Sequence, residues 1–251
     1  MVSERDQYQV AKRKVLAVEH RFPGSRWIGA NCLGLVLGLG LATPSAYFFD
    51  YAYDVLGLLG SILAILLMGG LLGLPLGSLQ ALVFRRMVPH FAAWVSASIL
   101  GMAIGLSLFL GLVFTSNRLD LINLPFSGMV GFGWLNDWSA LGNQMRLATT
   151  WFILGACLGS ALGISQWLVL RSHVPRSSLW VLGVAVSMAI GLVVGAGIQG
   201  LVRGVFQDPV SPRPPALPIV IGALLIGIAT AGGILGTGTS LIIRRWNWKS
   251  S

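Results

Sequence analysis

The sequence predicts an all-α membrane protein. Six transmembrane helices are expected, as three parallel two-helix repeats in a pseudo-threefold bundle with N and C termini cytoplasmic. Three observations predict this. First, 55% of the 251 residues are hydrophobic and 10% charged, where a soluble domain carries about 25% charged residues. Second, residues 27–49, 55–84, 91–117, 147–170, 177–202 and 214–243 contain no Asp, Glu, Lys, Arg or His. Third, the basic residues gather on one side of the implied membrane.

Each of the six windows exceeds the ~20 residues a helix needs to cross ~30 Å of hydrocarbon. Backbone groups in lipid must be satisfied within the segment, so these windows should be helices. With a cytoplasmic N-terminus, the inner segments hold 13 of the 17 basic residues. That is the positive-inside asymmetry. The formal charge of +9 therefore reports topology and not a nucleic-acid partner.

Residues 1–26 precede the first span. Tyr8, Ala11, Val15, Val18 and Phe22 recur at helical spacing among Lys12, Lys14 and Glu19. This suits a basic amphipathic helix on the inner membrane face. Span 1 begins at Trp27 and lacks a small-residue cleavage site, so it reads as retained rather than as a signal peptide. Span 2 is longer than a straight crossing requires. Tilt can absorb the excess, and Pro75 is expected to kink it. "RRMVPHF" turns the chain into span 3, and "RSHVPRSS" turns span 4 into span 5. Proline just after a span suits a chain that stops and reverses. The longest loop, 116–147, carries Trp134, Leu135, Trp138 and Leu141 and is expected to lie partly on the outer leaflet. The proline-rich "FQDPVSPRPPALP" should be extended. The transmembrane domain is 27–245, with hairpins 27–84, 92–170 and 179–245, followed by a cytoplasmic tail, 246–251.

The hairpins repeat. Residues 69–106 align with 155–192 at a constant offset of 86. The telling matches are Gln80/Gln166, Arg85/Arg171, Pro89/Pro175, Trp94/Trp180 and "MAIG" at Met102 and Met188. Trp27, Gly34 and Gly38 match Trp94, Gly101 and Gly105, and then Trp180, Ser187 and Gly191. "LGTGTSLIIRR" in span 6 matches "LGSLQALVFRR" in span 2, with Thr239 at the glutamine position and Arg244 at the arginine position. All copies run the same way, as parallel repeats about an axis along the membrane normal.

At ~100° per residue, each tryptophan shares a face with its two following small residues. Gly69, Gly73 and Gly77 form a stripe with Gln80, and Gly155, Gly159 and Gly163 repeat it with Gln166. Small residues let transmembrane backbones approach closely, so these glycines are the candidate packing positions. "GGILGTGTS" is a poor phosphate loop, since no lysine follows and it lies within a span.

Gln80, Gln166 and Thr239 are the candidate polar site. They either bond neighbouring helices or form a polar ring lining a pore. Arg85, Arg171 and Arg244 end the inward helices, where they suit the helix dipole and anionic headgroups. With Trp27, Trp94 and Trp180 they are the expected inner-face anchors. Cys32 and Cys157 lie within spans and read as core residues, not as a disulfide or metal pair. No histidine lies deep in a span, no carboxylate sits mid-membrane where an ion-coupling site would place one, and no catalytic constellation can be assembled.

At "QWLVLR", Gln166–Arg171, followed by Val-Pro and Leu-Trp, the chain resembles a poorly characterised group of bacterial multi-pass membrane proteins frequent in photosynthetic bacteria. The resemblance covers residues 69–192 and the rest more weakly. Span 6 departs from it, lacking the glutamine and the tryptophan beside it. The resemblance points to a photosynthetic membrane within a bacterium, cytoplasmic or thylakoid, and brings no established activity or functional residues.

The leading expectation is a non-enzymatic accessory, assembly or scaffold subunit of a larger membrane complex, photosynthetic in setting. Its partners would be the lipid bilayer and other integral subunits. An alternative is a channel or facilitator for a small polar solute using the inner polar ring. A third reading is a lipid- or pigment-binding protein. No metal, catalytic residue or cofactor is expected beyond such a lipid or pigment.

Overall fold

The structure, a computed structural model, describes residues 24–85, 90–118, 141–172, 174, 177–206 and 217–244. The expected amphipathic N-terminal helix, the loop tryptophans Trp134 and Trp138, the proline-rich loop and the C-terminal tail lie wholly or mainly outside the described residues. The described chain is helical: α1 (Gly24–Phe84), α2 (Phe91–Arg118), α3 (Leu141–Leu170), α4 (Ser178–Phe206) and α5 (Leu217–Arg244). Six stretches of these are long and apolar enough to cross a membrane, the first two being arms of α1, Gly24–Ala42 and Leu59–Phe84. Spans 3 to 6 lie in α2 to α5.

The break inside α1 falls at Gly57, with φ 59° and ψ −138°, between spans 1 and 2. A side chain is strongly disfavoured at that φ/ψ, so glycine alone is at ease there. Proline costs a helix one hydrogen bond, yet α1 stays helical through Pro75. Gly60 then packs against the Ala52 carbonyl, so the reversal between spans 1 and 2 needs no loop of its own.

Glycines set the neighbours of every span. Gly34 and Gly38 in span 1 face Leu76 and Leu72 in span 2. Gly69, Gly73 and Gly77 face Ala103, Ile99 and Ser98 in span 3, whose Gly101 and Gly105 face Leu162 and Leu158 in span 4. Gly155, Gly159 and Gly163 face Ala189, Ala185 and Val181 in span 5, and Gly191 faces Ala231 in span 6. Gly232 and Gly236 return to Cys32 and Ile28 in span 1. The spans thus close a ring in chain order. At each glycine named from the sequence, a Cβ would fall 2.9 Å or less from the neighbouring helix.

The surface is inverted relative to a water-soluble protein. Leu33, Leu37, Leu100, Ile104, Leu182 and Ile226 are exposed, while Asn31, Gln80, Ser98, Gln166 and Thr239 are buried. Lipid tails solvate exposed leucine as well as a protein interior does, so packing and internal polar bonds must hold the ring. Helix starts are capped locally: the His90 carbonyl accepts from Trp94 N at 3.2 Å, and the Ser177 carbonyl from Trp180 N at 2.9 Å.

Candidate functional site

The polar residues singled out from the sequence gather at one end of the bundle. Gln80 lies one turn before the end of α1, Gln166 one turn before the end of α3, and Thr239 near the end of α5. Trp27, Trp94 and Trp180 lie in the first turn or so of α1, α2 and α4. Because successive spans run in opposite directions, ends of spans 2, 4 and 6 meet starts of spans 3, 5 and 1.

There the same bond forms three times. Trp94 Nε1 donates to Gln80 Oε1 at 3.2 Å, Trp180 Nε1 to Gln166 Oε1 at 3.1 Å, and Trp27 Nε1 to Thr239 Oγ1 at 2.8 Å. Indole N–H can only donate, so it fixes each glutamine with its oxygen toward the tryptophan. The amide nitrogens must then find acceptors elsewhere. Gln166 Nε2 donates to Gln80 Oε1 at 2.8 Å and to Ser98 Oγ at 3.0 Å. Gln80 Nε2 donates to Asn31 Oδ1 at 2.9 Å, and Asn31 Nδ2 to the Trp27 carbonyl at 2.8 Å. One connected network therefore touches all six spans. The two glutamines face each other directly, while Thr239 joins them only through Trp27 and Asn31.

Aromatic rings fill the space beside this network. Trp180 lies 6.0 Å from both Trp27 and Trp94 between ring centroids. Phe84 touches all three indoles, at 4.5 Å from Trp27, 5.2 Å from Trp94 and 6.5 Å from Trp180. Leu170 and Ile243, each four residues after Gln166 and Thr239 as Phe84 is after Gln80, are also buried. All three indoles are 0% exposed. An enclosed indole cannot sit among headgroups, so the expectation that these tryptophans are membrane anchors is corrected: they plug the bundle interior. Arg85 and Arg171 are exposed, with Arg171 Cζ 5.9 Å from the Trp167 ring. The Arg244 side chain lies outside the described residues. Cys32 and Cys157 are free thiols, and Cys32 Sγ donates to the Ala229 carbonyl at 3.3 Å.

Sequence reasoning passed over Asn31, Ser98 and Phe84. The signal was present for the first two. Each follows its tryptophan by four residues and bonds back toward that tryptophan's carbonyl one turn away. The third copy has Val184 there, buried and apolar. Thr239 satisfies its own hydroxyl on the Leu235 carbonyl at 2.7 Å. Thr239→Val should therefore cost only the one bond from the Trp27 indole, about 1 kcal/mol. Thermal midpoints in one detergent would check it; a loss as large as that at Gln80 would contradict this bonding pattern.

Beyond the plug lies a cavity of about 240 Å³. All six spans contribute to its wall, including Leu35, Met68, Met102, Leu158, Met188 and Ile228, so it lies on the bundle axis. Among the described residues its wall is apolar apart from Trp151 and Gln199. None of Gln80, Gln166 and Thr239 lines it. Gln199 is 4% exposed, and its Nε2 is buried with no hydrogen-bond partner.

No family model, curated protein or solved structure matches the chain.

Proposed function

We propose that this chain is a non-enzymatic integral membrane protein that binds an apolar small molecule, of lipid or pigment class, on the axis of its bundle. The observation carrying this reading is the axial cavity walled by all six spans. Protein interiors are packed to crystal density and leave few voids larger than a water molecule. A cavity of this size, lined by aliphatic and methionine side chains, suits an apolar occupant. The same geometry disfavours solute conduction through the inner polar ring. Both glutamine amides are engaged, and four aromatic rings occupy the neighbouring space.

We propose further that the bundle is three parallel hairpins about a pseudo-threefold axis, with both termini cytoplasmic in a bacterial inner membrane. Support for the repeat comes from equivalent contacts: Gly34 and Gly38 on Leu76 and Leu72 match Gly101 and Gly105 on Leu162 and Leu158. Support for the orientation comes from the placement of the basic residues. An accessory role in a larger membrane complex is the setting in which we place this binding.

Ala196 is buried and lines the cavity, so Ala196→Phe should fill it. Organic extracts of purified protein would be compared by mass spectrometry and absorbance. The wild type should yield one apolar species near equimolar amount, and monodisperse Ala196→Phe should lose most of it. An empty wild type, or equal recovery from both, would count against ligand binding.

A further inference from the structure

Resting on the ligand-binding reading above, we infer that the axial ligand is neutral and carries a hydrogen-bond acceptor, a carbonyl or ester oxygen, which is held by Gln199 Nε2. The remainder of the ligand is hydrocarbon lying toward the tryptophan plug.

Gln199 is placed for this. Along α4 the cavity wall includes Met188, Leu192, Ala196 and Gln199. Eleven residues of helix separate the first from the last, roughly 16 Å at 1.5 Å per residue. The amide therefore stands at the end of the cavity remote from the plug. Its stem is held by a close helix crossing. A Cβ on Gly227 of α5 would meet the Gly195 carbonyl at 2.5 Å and Gln199 Cβ at 3.2 Å. The amide nitrogen is buried with no partner, in contrast to Gln80 and Gln166, whose amides are both bonded. An unpaired buried donor is costly, so an acceptor brought by a ligand recovers that cost.

The chemistry of the wall narrows the ligand. Water is a poor occupant, since a buried water needs two to four polar partners and the wall offers an amide and an indole along an apolar length. A carboxylate or phosphate is also disfavoured. Among the described residues no cation lines the cavity, and an uncompensated charge in an apolar site is expensive. A plain hydrocarbon would leave the amide unpaired. A neutral ketone, quinone or ester satisfies all three constraints.

The test uses the full chain in bilayer discs of ether-linked lipid, which bring no ester carbonyl of their own. Thermal midpoints would be followed against 2-decanone and n-decane for the wild type and Gln199→Leu. Ligand that binds only the folded state raises the midpoint. The wild type should prefer the ketone about tenfold, the equivalent of one good hydrogen bond, and Gln199→Leu should bind both alike. Without ligand, Gln199→Leu should melt no lower than the wild type, because it removes an unmatched amide. A lower midpoint, or failure to fold, would make Gln199 structural and overturn the inference. Equal ketone and alkane binding by the wild type would overturn it while leaving apolar binding standing. No binding of either, with empty native extracts, would remove both. Mass spectrometry of the native extract then separates an ester lipid from a free ketone or quinone.

Discussion

Leucine at Gly155 should destabilise the bundle by about 3 kcal/mol or more, because inserting bulk into a tight contact forces the surroundings apart. A Cβ there would stand 2.6 Å from Ala189 Cα and 2.7 Å from the Met188 carbonyl oxygen. Both are main-chain atoms of α4, so no side-chain rotation relieves the clash. The whole helix would have to move, and its neighbours on both sides are held by further glycines. Gly40 is the control. It is exposed, and a Cβ there meets nothing within 4 Å. Gly40→Leu should be neutral or slightly stabilising, since leucine is the better helix former. Unfolding midpoints of the two variants in one detergent check the pair. Equal midpoints would show that the glycine contacts do not hold the ring.

Gln80→Leu should cost about 2–4 kcal/mol, and Gln166→Leu less. Each glutamine takes part in three bonds, so a count does not separate them. What separates them is the groups left behind. Without Gln80, Trp94 Nε1 and Asn31 Oδ1 both lose their partners, while Gln166 Nε2 keeps Ser98. Without Gln166, Trp180 Nε1 loses this acceptor, but Gln80 Oε1 keeps Trp94 and Ser98 Oγ keeps the Trp94 carbonyl. The two also share a bond. The double variant should therefore cost less than the sum of the singles, as expected for residues in one network. Additive losses would show that the two amides act separately.

The six spans were legible because lipid imposes one rule on backbone and side chains alike. Absence of charge over twenty residues reads the same in sequence and in space. The glycine faces were legible because a helix converts spacing into direction, as Gly73 and Gly77 on Ser98 illustrate. The break at Gly57 was not. Asp50 and Asp54 mark where the two apolar windows divide, but nothing in "DVLGLLGS" singles out Gly57 over Gly60 as the turning residue. The tryptophan plug was half legible. Trp27, Trp94 and Trp180 stood out as equivalent, but a tryptophan near a span's end reads equally as an interfacial residue. Only the direction of its indole decides between headgroup and interior. The axial cavity was illegible, since a void depends on residues from all six spans at once. Gln199 has no glutamine at the equivalent positions of spans 1 and 3 to draw attention to it.

The bond between Trp27 and Thr239 joins residues 212 positions apart. At translation rates of 5–20 residues per second, roughly 10–40 s separate their emergence from a ribosome. Through that interval span 1 lies in the membrane with an indole donor, and Asn31 beside it, awaiting partners. Gln80 satisfies Asn31 early. The seam against span 6, by contrast, stays open until the chain is almost complete. An assembling bundle is therefore open on one side for most of its synthesis. The apolar ligand proposed above would have that side as its way in, before the last helix seals the axis.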